Sequence, residues 1–289
     1  MSSTSSPCDG DVGVIIELEN LVVKKQDLAD CLQESYNQEW FNENFDYNDI
    51  NLIHEFLIDS NNCDSSSISA INTIIDLMTA DPDLELEEAL FEIGIIIIDS
   101  DTAVKVNPAE ELNCFDLTQE ATLTVYVQQP WENSDNVIGP NQVGHAFIGI
   151  EQGGIVRQVG YYPDKDSSDV EIGNDYEAAI KTNYNYLYHV SISQNISSEQ
   201  LTDIINYTID FPSTYNTNNY ACTDFAINIG NLGGMNLPST ETSSILSNAF
   251  AGRSPGLLGQ EIRAINSTAT TTISTTSANS PERQGECTD

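Results

Sequence analysis

The chain has 289 residues, enough for one good-sized core or two smaller ones. Hydrophobic residues make up 39% of it, a low fraction that predicts disordered ends. The formal net charge is −36 and both halves of the chain are acidic, so we expect no binding to nucleic acids and no attraction to anionic lipid.

The N-terminal part of the chain has mainly helical periodicity. We expect disorder over residues 1–10 and a helical domain over residues 11–98. Its clearest helix begins after Asp64, a suitable N-cap, and places four apolar side chains on one face: Ile68, Ile71, Ile75 and Met78. A last helix is expected from about Leu84 to Ile97, although its apolar end, residues 93–98, would also suit a buried strand.

The pattern changes after a predicted linker at residues 99–116. Residues 117–265 predict an α+β domain, and residues 266–289 form a Ser/Thr-rich tail that we expect to be disordered. Alternating segments predict strands, and Ser197 with Gln200 predicts a capping box that opens a helix. The predicted strands are residues 122–127, 142–150, 155–161 and 187–193.

Cysteine and histidine usage argues against a metal site. The six cysteines include no C-x-x-C pair, and no histidine stands at ligand spacing from them, so we expect no metal and no cofactor. Their even number allows disulfides, but the spacings show no framework. These cysteines are Cys8, Cys31, Cys63, Cys114, Cys222 and Cys287.

The sequence also bears on localisation. No run of 18 apolar residues is present, so we expect no membrane span. The first residues lack the charged and apolar regions of a signal peptide, and the acidic composition is typical of a secreted or salt-tolerant protein. We expect an exported protein, either delivered by a machinery that needs no signal peptide or made as part of a longer chain.

Cys222 and His145 are the candidate chemical pair. Cys222 begins an apolar run of helical period, and a thiol in the first turn of a helix feels the positive end of the helix dipole, which favours the thiolate. His145 lies in an alternating segment, on the same side as Val143 and Phe147. If the Cys222 helix packs across that side, the two residues meet as a nucleophilic pair. The competing interpretation is that Cys222 is a packed core residue, as free cysteines often are.

The order of these elements resembles a known superfamily. A histidine strand that precedes a Cys-x-x-Phe helix is similar to the circularly permuted papain-like proteins, which include NlpC-type hydrolases and the lecithin:retinol acyltransferase group. Four segments within residues 105–263 resemble more closely an uncharacterised domain, usually found at the C-terminal end of modular secreted bacterial proteins. These segments are Val143–Phe147, Gly160–Pro163, Tyr220–Phe225 and Ser254–Arg263. Ala221 departs from the pattern, because the superfamily often has Asn before the cysteine.

The resemblance implies a fold and a mechanism. The fold would be an antiparallel sheet packed on the cysteine-bearing helix. Cys222 would attack a carbonyl as thiolate, and His145 would hold and then donate the proton. On the permuted layout a third polar group would come from the next strand, with Gln158 as first choice and Arg157 as the alternative.

The expected function is therefore a thiol hydrolase that cleaves an amide bond in a peptide or in peptidoglycan, as a secreted effector or toxin. Delivery machinery or an immunity protein would be its partners. A thiol acyltransferase or thioesterase would use the same acyl-enzyme chemistry. A non-enzymatic surface-binding module on an inactive papain-like scaffold is the alternative from a different class.

Overall fold

The computed structural model describes most of the chain from residue 65 onwards. The described residues are 65–81, 84, 86–92, 94–97, 103–138, 143–165, 169–238 and 252–286. The predicted disorder at residues 1–10 and the helices predicted before residue 64 lie outside them. The chain divides into two compact units, Met1–Ala89 and Leu90–Asp289.

Two helices precede the sheet. Helix α1, Ser65–Ala80, starts directly after Asp64 as predicted and buries Ile75. Helix α2, Leu86–Glu92, is shorter than predicted, because Gly94 adopts φ +90°, a left-handed conformation that ends the helix. Strand β1, Ile95–Ile97, follows, so these residues take the strand alternative.

The structure describes residues 103–116 of the linker predicted at residues 99–116, and this part is packed rather than extended between domains. Val106 N–H donates to Ile180 O, and Thr182 N–H donates to Val104 O. A short helix, α3 (Pro108–Glu111), follows, and Leu112 is buried in the core after it. This stretch packs on the second unit, but its elements are too short to show a period in the sequence.

A seven-stranded antiparallel sheet forms the centre of the second unit. The strands are β2 Ala121–Gln128, β3 His145–Gln152, β4 Ile155–Pro163, β6 Tyr176–Thr182, β8 Val190–Ile196, β9 Thr214–Tyr215 and β10 Thr271–Ser274, in the order β10-β8-β2-β3-β4-β6-β9. Strand β5, Asp169–Glu171, pairs with β1, and β7, Leu187–Tyr188, pairs with β11, Ala278–Asn279. The fold is α+β, and the four predicted strand regions are strands, while β6 was not predicted.

The sheet has two different faces. Three helices supply buried residues to the core on one face: α4 Ser198–Ile209, α5 Cys222–Leu232 and α6 Pro255–Ala264. On this helix face, the ring of Phe225 in α5 stacks on Tyr161 at a centroid distance of 5.5 Å. A Cβ on Gly230 of α5 would lie 3.3 Å from Val125 Cγ2. We call the opposite side, where the ring of Phe147 stacks on that of Tyr126, the histidine face.

The predicted disorder of residues 266–289 is not what the structure shows up to residue 286. Strand β10 extends the sheet by pairing with β8, and Ser280 is buried. The guanidinium of Arg157 is fully buried, donates to the carbonyls of Gln284 and Gly285, and pairs with Glu111 at 3.4 Å. Backbone pairing and polar contacts therefore order a segment that has little apolar surface.

The two described cysteines differ in their bonding state. Cys114 is disulfide-bonded, whereas Cys222, the other described cysteine, is free. The partner of Cys114 therefore lies outside the described residues. Arg157 Nη2 lies 3.1 Å from Cys114 Sγ, so this disulfide adjoins the contact between Arg157 and the tail.

Ser280→Ala tests the ordered tail. The Ser280 hydroxyl donates to Asn183 O at 2.6 Å and accepts from Tyr186 N–H at 2.9 Å. Its loss leaves two buried backbone groups unpaired, so we expect the free energy of unfolding to fall by about 1–3 kcal/mol in a denaturant titration. Thr276→Ala, at an exposed position of the same tail, should change it by less than about 0.5 kcal/mol. Equal, negligible effects of both substitutions would indicate a disordered tail.

Candidate functional site

Cys222 is the first residue of helix α5, as predicted. The helix begins here because Asp224 Oδ2 accepts the backbone N–H of Ala221 at 3.0 Å, which satisfies one of the free donors of the first turn. Arg253 Nη1 pairs with Asp224 Oδ1 at 2.8 Å. Asp224 therefore stabilises the start of the helix that carries the thiol.

The Cys222 thiol lies in a closed environment. Its residue is 7% exposed, and burial raises the pKa of the thiol. The backbone N–H of Ala146 donates to the sulfur and acts in the opposite direction, while the negative charge of Asp224 adds to the increase. The sequence predicted a lowered pKa from the helix dipole, but loss of water outweighs the dipole here.

His145 is the first residue of strand β3 and is 2% exposed. Its ring packs among three aromatic rings, at centroid distances of 4.5 Å from Tyr162, 5.6 Å from Tyr186 and 5.7 Å from Phe147. Neither ring nitrogen makes a hydrogen bond of good geometry. Burial lowers the pKa of the imidazole to about 3, and nearby Asn183 opposes this only in part. The imidazole is therefore neutral across the physiological range.

No direct interaction joins His145 to Cys222 in the structure. Helix α5 packs on the helix face, which holds Ala146 and Ile148, whereas the His145 ring stacks with Phe147 on the histidine face. The sequence analysis predicted that the two residues meet only if the Cys222 helix packs on the side of the strand that carries His145. The helix crosses the other side, because Ala146, Ile148 and Ile150 form the more apolar surface.

Gln158 shares the histidine face with His145 but stands apart from it. It pairs with Gly149, four residues beyond His145 along β3, a separation of roughly 13 Å along the strand. Gln158 is fully buried, and neither its amide oxygen nor its amide nitrogen has a partner. The alternative residue, Arg157, is engaged with Glu111 and the tail.

Asn183 is the polar residue nearest to His145. A Cβ on Gly160 would lie 2.5 Å from Asn183 Oδ1 and 2.7 Å from His145 Nε2, so these two atoms converge where Gly160 lacks a side chain. Asn183 Nδ2 donates to the Tyr162 hydroxyl, and its Oδ1 faces His145 Nε2, a contact that raises the pKa of the imidazole against the larger effect of burial. The sequence did not reveal Asn183, because it directly follows β6, a strand that was not predicted.

The segment Ser254–Arg263, part of the resemblance, has a structural role around Gln129. A Cβ on Gly259 would lie 2.5 Å from Gln129 Cδ, and Arg263 Nε donates to Gln129 Oε1. Gln129 N–H donates to His189 Nδ1 at 3.0 Å. His189 is buried.

Comparisons with known proteins found no relative. The sequence matches no protein-family model, and no curated protein or solved structure shows significant similarity to it. Within the described part of the chain, no cluster of three His, Cys, Asp or Glu residues is arranged to hold a metal ion. None of the helices described there is long and apolar enough to span a membrane.

The pH dependence of stability should report the buried imidazole. In the unfolded chain His145 has a pKa of about 6.5 and binds a proton below that pH. In the folded chain its imidazole binds the proton only at about pH 3. Stability should therefore fall as the pH drops through this window, by up to about 1.4 kcal/mol per pH unit. His145→Phe should remove this part of the slope in denaturant titrations at several pH values. An unchanged slope would mean that His145 ionises normally.

Gln158 and Gln129 are both fully buried, so their substitution allows a matched comparison. Gln129 donates to Ser134 O and Gly256 O and accepts from Asn133 N–H, whereas Gln158 makes no side-chain hydrogen bond. Gln158→Met should leave the free energy of unfolding unchanged or raise it, because it removes unpaired polar atoms. Gln129→Met should lower it by roughly 2–4 kcal/mol, because its partners lose their bonds. Similar losses in both variants would show that Gln158 is bonded after all.

Proposed function

We propose that the second unit, Leu90–Asp289, is a non-enzymatic binding module on a scaffold that resembles the papain-like fold. The observation that carries this proposal is that the His145 ring stacks with Phe147 on the face of strand β3 opposite the one that helix α5 covers, and that both His145 and Cys222 are buried. A Cys–His nucleophilic pair works through a hydrogen bond, even if that bond is loose before substrate binds. Opposite faces of a sheet do not permit one.

The protonation states of both groups agree with this proposal. Burial raises the pKa of the Cys222 thiol, so the reactive thiolate is disfavoured. The pKa of His145, lowered to about 3, makes the imidazole a weak base, whereas a general base works best with a pKa near the working pH. Neither group is electrostatically prepared for nucleophilic chemistry.

A groove supports a binding role. It has a volume of about 480 Å³ and lies on the second unit, beside β6 and β9. Its lining combines aromatic rings, carboxylates and small polar residues: Asp175, Tyr176, Glu177, Ala178, Phe211, Ser213 and Thr214. A concave surface of mixed character suits a peptide-like or cell-wall chain, the ligand class that the resemblance implies.

The second candidate is a thiol hydrolase of amide bonds, with Cys222 as nucleophile and His145 as base. One observation favours it: the Cys222 sulfur accepts the N–H of Ala146, the residue next to His145. The strand start would have to turn over before the imidazole reached the helix face. A thiol acyltransferase or thioesterase would need the same change.

We propose that the protein is exported, whether it is a binding module or a hydrolase. An effector or toxin role is proposed only for the hydrolase candidate. The support is the net charge of −36, which is typical of secreted or salt-tolerant proteins, together with the resemblance to modular secreted proteins.

Alkylation of Cys222 separates the two candidates. At about pH 6.5, iodoacetamide should leave Cys222 unmodified in the folded protein and modify it only after denaturation, because the thiol is buried and protonated. Peptide mass spectrometry measures this, with Cys222→Ser giving the background from the other cysteines. Rapid labelling of Cys222 that slows in His145→Phe would instead establish the hydrolase candidate.

A further inference from the structure

Cys114 is disulfide-bonded, and its partner is one of the cysteines other than Cys222, which is free. Cys287 belongs to the same compact unit as Cys114 and lies at the end of the C-terminal tail. The remaining cysteines all belong to the first unit, Met1–Ala89: they are Cys8, Cys31 and Cys63.

We propose that Cys114 and Cys287 form a disulfide that fastens the C-terminal tail to the segment before strand β2. This covalent modification goes beyond the proposed function, because it does not depend on what the groove binds. Cys287 follows directly after the described residues, which end at residue 286, and the placement of the tail up to that point supports the pairing.

One guanidinium nitrogen contacts both Cys114 and the tail. Arg157 Nη2 lies 3.1 Å from Cys114 Sγ and donates to Gly285 O at 3.0 Å, so the sulfur and this carbonyl oxygen are within two hydrogen-bond lengths of each other. Cys287 follows Gly285 by two residues, a stretch that spans at most about 7 Å. A disulfide joins residues whose Cα atoms are roughly 4.4–6.8 Å apart, so Cys287 can reach Cys114 with the tail in its present position.

Cys114 is held in place by its neighbours in the chain. Leu112 and Phe115 are both buried in the core, and Cys114 stands between them. Glu111, at the end of the short helix α3, accepts a hydrogen bond from Arg283 of the tail. The segment that carries Cys114 therefore contacts the tail at a second point.

The tail is held against strand β4. The backbone N–H of Val156 donates to Gln284 O at 3.0 Å. Gly285 adopts φ +71°, and a Cβ there would lie 3.0 Å from Ile155 Cγ1, so glycine allows the tail to approach the strand closely. Because the tail is already fixed up to two residues before Cys287, the bond orders little additional chain.

The disulfide closes most of the second unit into one loop. All seven strands of the central sheet lie between Cys114 and Cys287 in the sequence, so the cross-link restricts a long stretch of the unfolded chain. It also keeps two carbonyls of the tail on the buried guanidinium of Arg157, which would be strongly destabilising without partners. The folded state is therefore stabilised by the bond.

Formation of this bond is a two-electron oxidation. The two thiols lose two protons and two electrons as the S–S bond forms. A disulfide oxidant, such as oxidised glutathione or the active site of a thiol oxidoreductase, accepts them and is reduced to two thiols. Disulfides persist in oxidising compartments, which agrees with the proposed export.

Tryptic peptides distinguish the possible partners of Cys114. Cleavage after lysine and arginine places Cys114 in residues 106–157 and Cys287 in residues 284–289. Cys8 falls in residues 1–24, and Cys31 and Cys63 fall in residues 26–105. The full chain, folded in the presence of oxidised glutathione, is unfolded with N-ethylmaleimide to block free thiols and digested without reductant. Mass spectrometry should find 106–157 linked to 284–289, and reduction should separate them. A link from 106–157 to 1–24 or 26–105, or a Cys114 that carries maleimide, would overturn the proposal.

A reductant gives an independent measurement. In a Trp40→Phe background, the fluorescence of Trp131 follows the second unit during urea unfolding. Tris(2-carboxyethyl)phosphine should lower the urea midpoint by about 1 M, whereas the midpoint of Cys287→Ser should not respond, since that variant already lacks the bond. Cys63→Ser is the matched control and should respond as the parent does. An equal response of Cys287→Ser, or none in Cys63→Ser, would contradict the pairing.

Discussion

The alternation of strand β3 is the constraint on which the arrangement of the second unit depends. Successive side chains of a strand point to opposite faces, so Ala146 and Ile148 cannot pack against helix α5 unless His145 and Phe147 point away from it. The aliphatic side of the strand faces the core, since burying that side removes the most apolar surface from water. The imidazole is consequently placed in an aromatic layer, and the thiol in the core.

Polar contacts hold the C-terminal tail in place, whereas apolar burial stabilises other parts of the chain. Arg157 is fully buried and is compensated by Glu111 and by two carbonyls of the tail. A buried guanidinium without such partners would be strongly destabilising, so the tail and this ion pair require each other. An acidic chain with few cations thus uses one of its arginines to hold its C-terminal segment against the sheet.

The environment of Gln158 contrasts with that of Gln129. Both sites contain a fully buried glutamine, but Gln129 is bonded on every side and Gln158 on none. Local rules of polar satisfaction are usually broken at functional positions, where the cost in stability is retained for a purpose.

The sequence by itself determined the α+β class, four strand regions, the Ser197 capping box and the helix that begins at Cys222, because period and caps are local properties. It could place His145 on the same side of its strand as Val143 and Phe147. Only the tertiary structure decided which side the helix covers, that Asn183 adjoins His145, and that the tail forms β10. These features depend on contacts between residues far apart in the chain, and a local pattern carries no information about which of two sheet faces is buried against which partner.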